Sequence, residues 1–286
     1  MLQSGLSRFL RDVYTGLDAG QFLVLHQPVV DLGAQSLEGF EALVRWSHPR
    51  YGLLAPDGFV PLLERTGHLA ALTRHVLVRA CTAAASWPDC DGAAPRVRVN
   101  LPAALLGDAG THAEVLATLA ATGLAPERLV LEVTETGVLG DVAAAQAGCA
   151  RLRAGGVRVA LDDYGTGECD VVRLLLLDVD EVKVDRSLMV GVPRDRDRLA
   201  AVQEMVDLGR TMDLAVTVEG VETVEQLAVL QPAVPVLAQG FLFGRPRVLD
   251  GPEHVRVLSR RCRRLLRGQP GVPTGVAVRG QITRSG

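Results

Sequence analysis

Cysteine is scarce and poorly spaced for chemistry. Five cysteines, Cys81, Cys90, Cys149, Cys169 and Cys262, are scattered over 286 residues with no CxxC pair. An odd, dispersed set argues against a disulfide framework and a zinc site, and fits a reducing compartment. Long apolar runs are missing too. None reaches the ~18 residues that a membrane span needs, because Arg74, Arg79 and Arg173 interrupt the longest candidates. A signal peptide is not expected, since Arg8, Arg11 and Asp12 fall where its apolar stretch would lie. Nor is one sign of charge in excess: 30 basic residues face 33 acidic ones, for a net charge of −3. Without a global field, a polymeric nucleic acid is not an expected partner. An anionic substrate would have to be held by local charges or by metals. These absences together predict a soluble, cytoplasmic protein with no membrane span.

What is present is a core-forming chain, 48% apolar, long enough for one large domain or two small ones. Leu6, Phe9, Leu10, Val13 and Leu17 recur at spacings of three and four, which predicts an amphipathic helix over 6–17. Strand-like runs follow at 22–32 and 37–46, separated by turn material, Gly33 to Ser36. They predict a hairpin. Helical stretches such as 69–86 and 112–122 then alternate with the apolar runs VRVNL, LVLEV, VRVALDD, VDEVKVD, LAVTVEG and VPVLAQG. Such alternation calls for a parallel sheet of βαβ units, and about eight units in one domain suggest a closed (β/α)8 barrel. An open doubly wound sheet is the competing fold. The opening hairpin would make one early strand antiparallel.

The composition shifts near the C-terminus. RRCRRLLRG at 260–268 is basic, and 268–286 is rich in Pro and Gly without periodicity. The expectation is a folded domain over 1–255, followed over 256–286 by a basic, solvated helix end and a disordered tail.

Six apolar runs end on charged or metal-competent residues: Asn100, Glu132, Asp162 with Asp163, Lys183, Glu219 and Gln239. The hairpin adds Glu41. In a barrel the C-terminal strand ends face one mouth, where the active site is built. Any one of these residues alone reads as a strand-end cap or an ion pair. Glu41, Glu132, Asp162, Asp163 and Glu219 at one mouth would repel strongly unless protonated or neutralised by cations. Carboxylates plus one amide oxygen are hard donors that select Mg²⁺ or Mn²⁺ over Zn²⁺. Two such metals sharing a carboxylate suit phosphodiester hydrolysis.

At this point the chain resembles the EAL domain family of cyclic-di-GMP phosphodiesterases. EALVRW at 41–46 matches the naming motif, followed by HPRYGLLAPDGFVPLLERTG. VNL at 99–101, LEVTE at 131–135, LDDYGTG at 161–167, VKVDRS at 182–187, VEGVET at 218–223 and AQGFLFGRP at 238–246 come in the family's order. The likeness runs over about residues 5 to 250. It implies an α/β fold, a modified (β/α)8 TIM-like barrel with one antiparallel strand, so that 1–255 would be the phosphodiesterase domain. It also implies a reaction that opens cyclic-di-GMP to linear 5′-pGpG at a two-metal Mg²⁺ or Mn²⁺ site, and a tendency to form homodimers.

The resemblance carries residue roles as well. Glu41, Asn100, Glu132 and Asp162 would hold the first metal. Asp162 would bridge to a second, bound also by Asp163 and Glu219. Lys183 would touch the attacking water or the phosphate, and Glu219 has also been cast as a general base. Gln239 and Arg45 would contact substrate, with Gln27 near a guanine. Glu135 would support the loop after Asp163. Tyr164 stands where the family usually has Phe, and Glu168-Cys169-Asp170 replaces an aromatic and two serines. Non-catalytic members of such a family bind cyclic-di-GMP as receptors, and that is the alternative reading. They usually lack metal ligands, whereas this chain keeps each one that can be assigned. An unrelated oxygen-metal barrel enzyme would not account for the ordered motifs.

Overall fold

The computed structural model describes residues 2–134, 141–165, 174–230 and 235–268. Helix α1 (Leu2–Asp18) leads into strand β1 (Phe22–Asp31), which turns back through a hairpin into the long β2 (Ser36–His48) and the short β3 (Gly52–Leu54). Helices α2 (Val60–Arg65) and α3 (Leu69–Ala85) precede β4 (Arg96–Leu101), and α4 (Ala103–Leu106) and α5 (Ala109–Thr122) precede β5 (Leu129–Thr134). Then α6 (Val142–Ala154) leads to β6 (Arg158–Tyr164) and β7 (Glu181–Val184). The chain continues through α7 (Arg196–Thr211), β8 (Ala215–Val218), α8 (Val224–Leu230), β9 (Leu237–Gln239) and α9 (Pro252–Arg267).

Strands β2 and β4 through β9 pair in sequence as parallel neighbours. The first strand closes the ring: it is antiparallel to β2 on one side and to β9 on the other, where Val29 lies opposite Gln239. Eight strands therefore form a closed barrel, and β3 hangs on β2 outside it. Closure rules out the open doubly wound sheet and confirms the single antiparallel strand.

Alternation along each strand sorts the side chains. In β4, Val97, Val99 and Leu101 pack outward against helices, which places Arg98 and Asn100 on the barrel's interior face. Helices begin where aspartates can accept from orphan amides: Asp108 from Thr111 N (2.6 Å), Asp141 from Ala144 N (3.0 Å) and Asp195 from Arg198 N (3.1 Å). Pro102 sits at the N-cap of α4. The outer core beneath α1 is aromatic, with Trp46 stacked on Phe22 at 4.9 Å and edge-on to Phe9 and Phe59.

Residues near the C-terminus behave differently from the sequence expectation. The expected boundary at residue 255 falls inside α9. Val255, Leu258, Cys262 and Leu266 are buried at spacings of three and four, while Arg260, Arg261, Arg264 and Arg267 are exposed on the opposite side. The arginines are thus one face of an amphipathic helix, and packed structure continues to Arg267. Of residues 268–286, expected to be disordered, Gly268 caps α9 and 269–286 lie outside the described residues. Leu258→Ala is therefore expected to cost about 2–5 kcal/mol, and Val257→Ala, on the exposed side of the same helix, less than about 0.5 kcal/mol. Urea denaturation distinguishes them, and equal small effects would show that α9 contributes no core.

Candidate functional site

The C-terminal ends of β4 through β9 open at one mouth, and the polar strand-end residues gather there around Lys183. Its ammonium, 1% exposed, donates to Glu132 Oε2 (3.0 Å), Asp162 Oδ1 (2.9 Å) and Glu219 Oε1 (2.7 Å). A second chain of contacts runs beside it. Asn100 Nδ2 donates to Glu41 Oε1 at 3.0 Å, and Gln239 Nε2 to Glu41 Oε2 at 2.6 Å. Gln239 also reaches Gln27 Oε1 at 3.3 Å, and Gln27 donates to the Gly244 carbonyl at 3.4 Å. Strand register explains these meetings: Gln27 lies opposite Glu41, Asn100 beside Glu132, and Glu41 beside Arg98. Because β1 runs backwards, it presents its middle rather than its end to the mouth.

Asp162 and Asp163 present a geometric problem, since consecutive strand residues point to opposite faces. The structure answers it with an irregularity. Leu161 pairs with Val182 and Tyr164 with Val184, so β6 carries one residue more than β7 across this interval. Asp163 takes φ +60, a conformation rare outside glycine but tolerated by Asp. This bulge re-aims the strand beside the site. The Asp163 carboxyl senses Asp162, Lys183 and Glu41 together.

One expected residue is not drawn into this group. Arg45 Nη1 donates to the Val44 carbonyl at 2.7 Å. Glu135 lies outside the described residues, as do Glu168, Cys169 and Asp170.

The sequence reading missed a second polar layer, one pleat deeper. Arg98, two residues before Asn100, is fully buried. It contacts Glu38, Glu181 (3.3 Å) and Glu132 (3.7 Å), and Thr217 Oγ1 donates to Glu181. Arg98, Glu181 and Thr217 share strand parity with Asn100, Lys183 and Glu219. That parity was the signal available.

Electrostatics in the mouth are strongly unbalanced. Burial raises the Glu132 carboxyl well above its usual range, with Glu41 and Asp162 adding to the rise and Lys183 opposing it. Glu219 is pushed up to about 7 by burial and by Asp162 and Glu41, against Lys183. Burial and Asp162 push Asp163 up to about 6. Burial also works to raise Glu41, but Lys183 and the hydrogen bonds from Gln239 and Asn100 hold it below its ordinary value. Lys183 itself stays firmly charged, because surrounding carboxylates outweigh its desolvation.

Among the described residues no three acids converge on one point ready to ligate a cation. Instead the Lys183 ammonium lies between Glu132, Asp162 and Glu219. The donor chemistry nevertheless fits a hard divalent ion. Every candidate ligand offers a carboxylate or amide oxygen, and negative charge is in surplus around the single Lys183 ammonium.

Comparison with known proteins places this chain in a family. The family model for the EAL domain matches residues 10–246. The bifunctional diguanylate cyclase/cyclic di-GMP phosphodiesterase MucR of Pseudomonas aeruginosa is 37% identical over 239 residues, covering 84% of this chain and 35% of MucR. The cyclic di-GMP phosphodiesterase NbdA of the same organism is 39% identical over 232 residues, covering 81% of this chain and 30% of NbdA. This chain thus spans about a third of the length of these relatives. A structure of the PaMucR phosphodiesterase in complex with c-di-GMP superposes with a TM-score of 0.77 at 37% identity, covering 84% of this chain and 97% of that one.

The raised carboxyls predict how a cation should act. A carboxyl whose folded pKa lies above its unfolded value contributes stability that is complete below the unfolded value. That stability is lost as pH rises through the folded value. For Asp163 and Glu219 the loss runs from ordinary values of 3.8 and 4.5 up through about 6 and about 7. A cation bound there would offset it. His26, lowered to about 4 by burial, has its ring against Trp87 and Phe40. Its contribution is common to both conditions and cancels in their difference. The gain in Tm from Mn²⁺ over EDTA should therefore grow as pH rises from roughly 5 to 8. A gain independent of pH would count against a cation on these acids.

Proposed function

The chain belongs to the EAL domain family, and on that premise we propose that it is a metal-dependent phosphodiesterase that hydrolyses cyclic-di-GMP to linear 5′-pGpG. One observation carries the reading. The oxygen donors that the family resemblance implies as ligands meet at one mouth, together with the one buried lysine among them. A receptor that had lost catalysis would have no need to keep this costly collection of acids.

In this reading Glu41, Asn100, Glu132 and Asp162 hold one divalent cation, and Asp162, Asp163 and Glu219 hold a second. Bound there, Mg²⁺ or Mn²⁺ would polarise the phosphoryl oxygens and lower the pKa of water. The remaining chemistry belongs to side chains. Lys183 fixes Glu132, Asp162 and Glu219 in place and keeps a positive charge where the phosphorane gains negative charge. Glu219, held by the Lys183 ammonium at 2.7 Å, would accept the proton of the attacking water. Water attacks phosphorus, the bond to the 3′ oxygen breaks as that oxygen takes up the proton and leaves as a hydroxyl, and a linear dinucleotide with a 5′ phosphate remains.

Binding would fall to the amides and Arg45. Gln239 and Gln27 line the wall beside Glu41 and offer paired donors and acceptors to a nucleotide. Arg45 would release the Val44 carbonyl to take a phosphate, for which its planar guanidinium is well suited. Glu135 would support the loop that follows Asp163.

Incubation of the purified protein with cyclic-di-GMP and Mg²⁺ or Mn²⁺, followed by chromatography, tests this directly. Linear 5′-pGpG is expected, and EDTA should abolish it. Glu41→Gln keeps the size of the side chain but removes its charge and one of its two acceptor oxygens, and should lower turnover about 10²–10³-fold. Tight binding without product would make the chain a receptor, and neither binding nor product would overturn the proposal.

A further inference from the structure

The deeper polar layer is not explained by the reaction alone. Arg98 is 0% exposed. Burying its guanidinium with Glu38 and Glu181 is an expensive way to fill space that apolar side chains fill at least as well. The chain makes room for it: a Cβ at Gly39 would lie 3.1 Å from Arg98 Nη1 and 2.5 Å from the Arg96 carbonyl oxygen. Two arms of the guanidinium are taken, Nη1 by Glu38 and Nη2 by Glu181. The third nitrogen, Nε, has no hydrogen-bond partner among the described residues, and neither does Glu132 Oε1. These two atoms face each other at 3.7 Å.

Glu132 is therefore the acid that touches both layers. Its Oε2 meets Lys183 at 3.0 Å in the mouth, and its Oε1 points down to Arg98. Glu38 and Glu181 anchor the guanidinium from opposite walls, β2 and β7, so the position of Nε is set by the barrel rather than by a flexible side chain. Groups of this kind behind a ligand orient it and tune its affinity.

We propose that Arg98 is a positioning residue for Glu132, fixing from the lower layer which carboxylate oxygen is presented to the cation at the mouth. This rests on the reading of the mouth as a metal centre. Arg98 touches neither substrate nor metal in this scheme and acts through Glu132 alone.

The test is calorimetric titration of the metal-free full chain with Mn²⁺ alone. Two variants separate positioning from folding. Arg98→Lys keeps a buried cation for Glu38 and Glu181 but lacks the fork that also reaches Glu132. The triple variant Arg98→Met, Glu38→Gln, Glu181→Gln leaves the lower layer uncharged. Both are expected to unfold cooperatively when metal-free and to bind Mn²⁺ about 10–100-fold more weakly than wild type. In a Glu132→Gln background, Arg98→Lys should produce no further loss, because coupled residues are not additive.

Wild-type affinity in either folded variant, or a full additional loss in the Glu132→Gln background, would overturn the proposal. Failure of both variants to fold would also overturn it by assigning Arg98 to core stability. If wild type itself takes up no Mn²⁺, the metal reading of the mouth fails first, an outcome separable from the others.

Discussion

One buried ammonium holds this site together. Lys183 is surrounded by Glu132, Asp162 and Glu219 at hydrogen-bond distance, nearly sealed from solvent. Taking a lysine and several acids out of water is costly, and their mutual attraction offsets that cost only when the geometry is good. A barrel provides such geometry, because its strand ends are fixed by hydrogen bonds on both sides and the interior side chains have little room to move. In the layer below, Arg98 is the corresponding cation, held between Glu38 and Glu181. The interior of this barrel is thus polar over two pleats. Apolar packing is left to its outer face, where Val97, Val99, Val159 and Val182 are buried.

Closure of the ring gives the site its remaining members. Residues 27 and 239 are far apart in sequence, yet Gln27 and Gln239 touch because β1 fills the gap between β2 and β9 in the reverse direction. The return loop after β9 is locked by close backbone contact. Val221 N donates to the Gln239 carbonyl, and a Cβ on Gly240 would lie 1.9 Å from the Val221 carbonyl oxygen. No side chain fits there, so the AQG turn and the VEGVE loop are held against each other at the rim. Glu219 and Gln239 are thereby placed on adjacent walls of the mouth.

Much of this was legible in the sequence, and the failures have physical reasons. Apolar runs that end on acids and amides announced a barrel mouth, because strand periodicity and strand ends are local features. Arg98 was not recognised because an arginine between valines, as in Val97-Arg98-Val99, reads as the solvated side of an alternating strand. Only its parity with Asn100 told against that. The bulge at Asp162-Asp163 was invisible, since φ +60 at a non-glycine residue is imposed by the pairing with β7. In α9 the arginines dominated the composition and obscured the apolar spacing of Val255, Leu258, Cys262 and Leu266. The hydrogen bond from Arg45 to the neighbouring Val44 carbonyl is likewise a local backbone contact that no strand pattern foretells.

The central claim is that the acids around Lys183 form a binding centre for divalent cations. Anomalous diffraction from crystals of the protein grown with Mn²⁺ and cyclic-di-GMP tests it most directly. Anomalous density is expected between Glu41, Asn100, Glu132 and Asp162, with further density toward Asp163 and Glu219. Crystals holding the nucleotide with Lys183 still spanning the three carboxylates, and no manganese at the mouth, would contradict it.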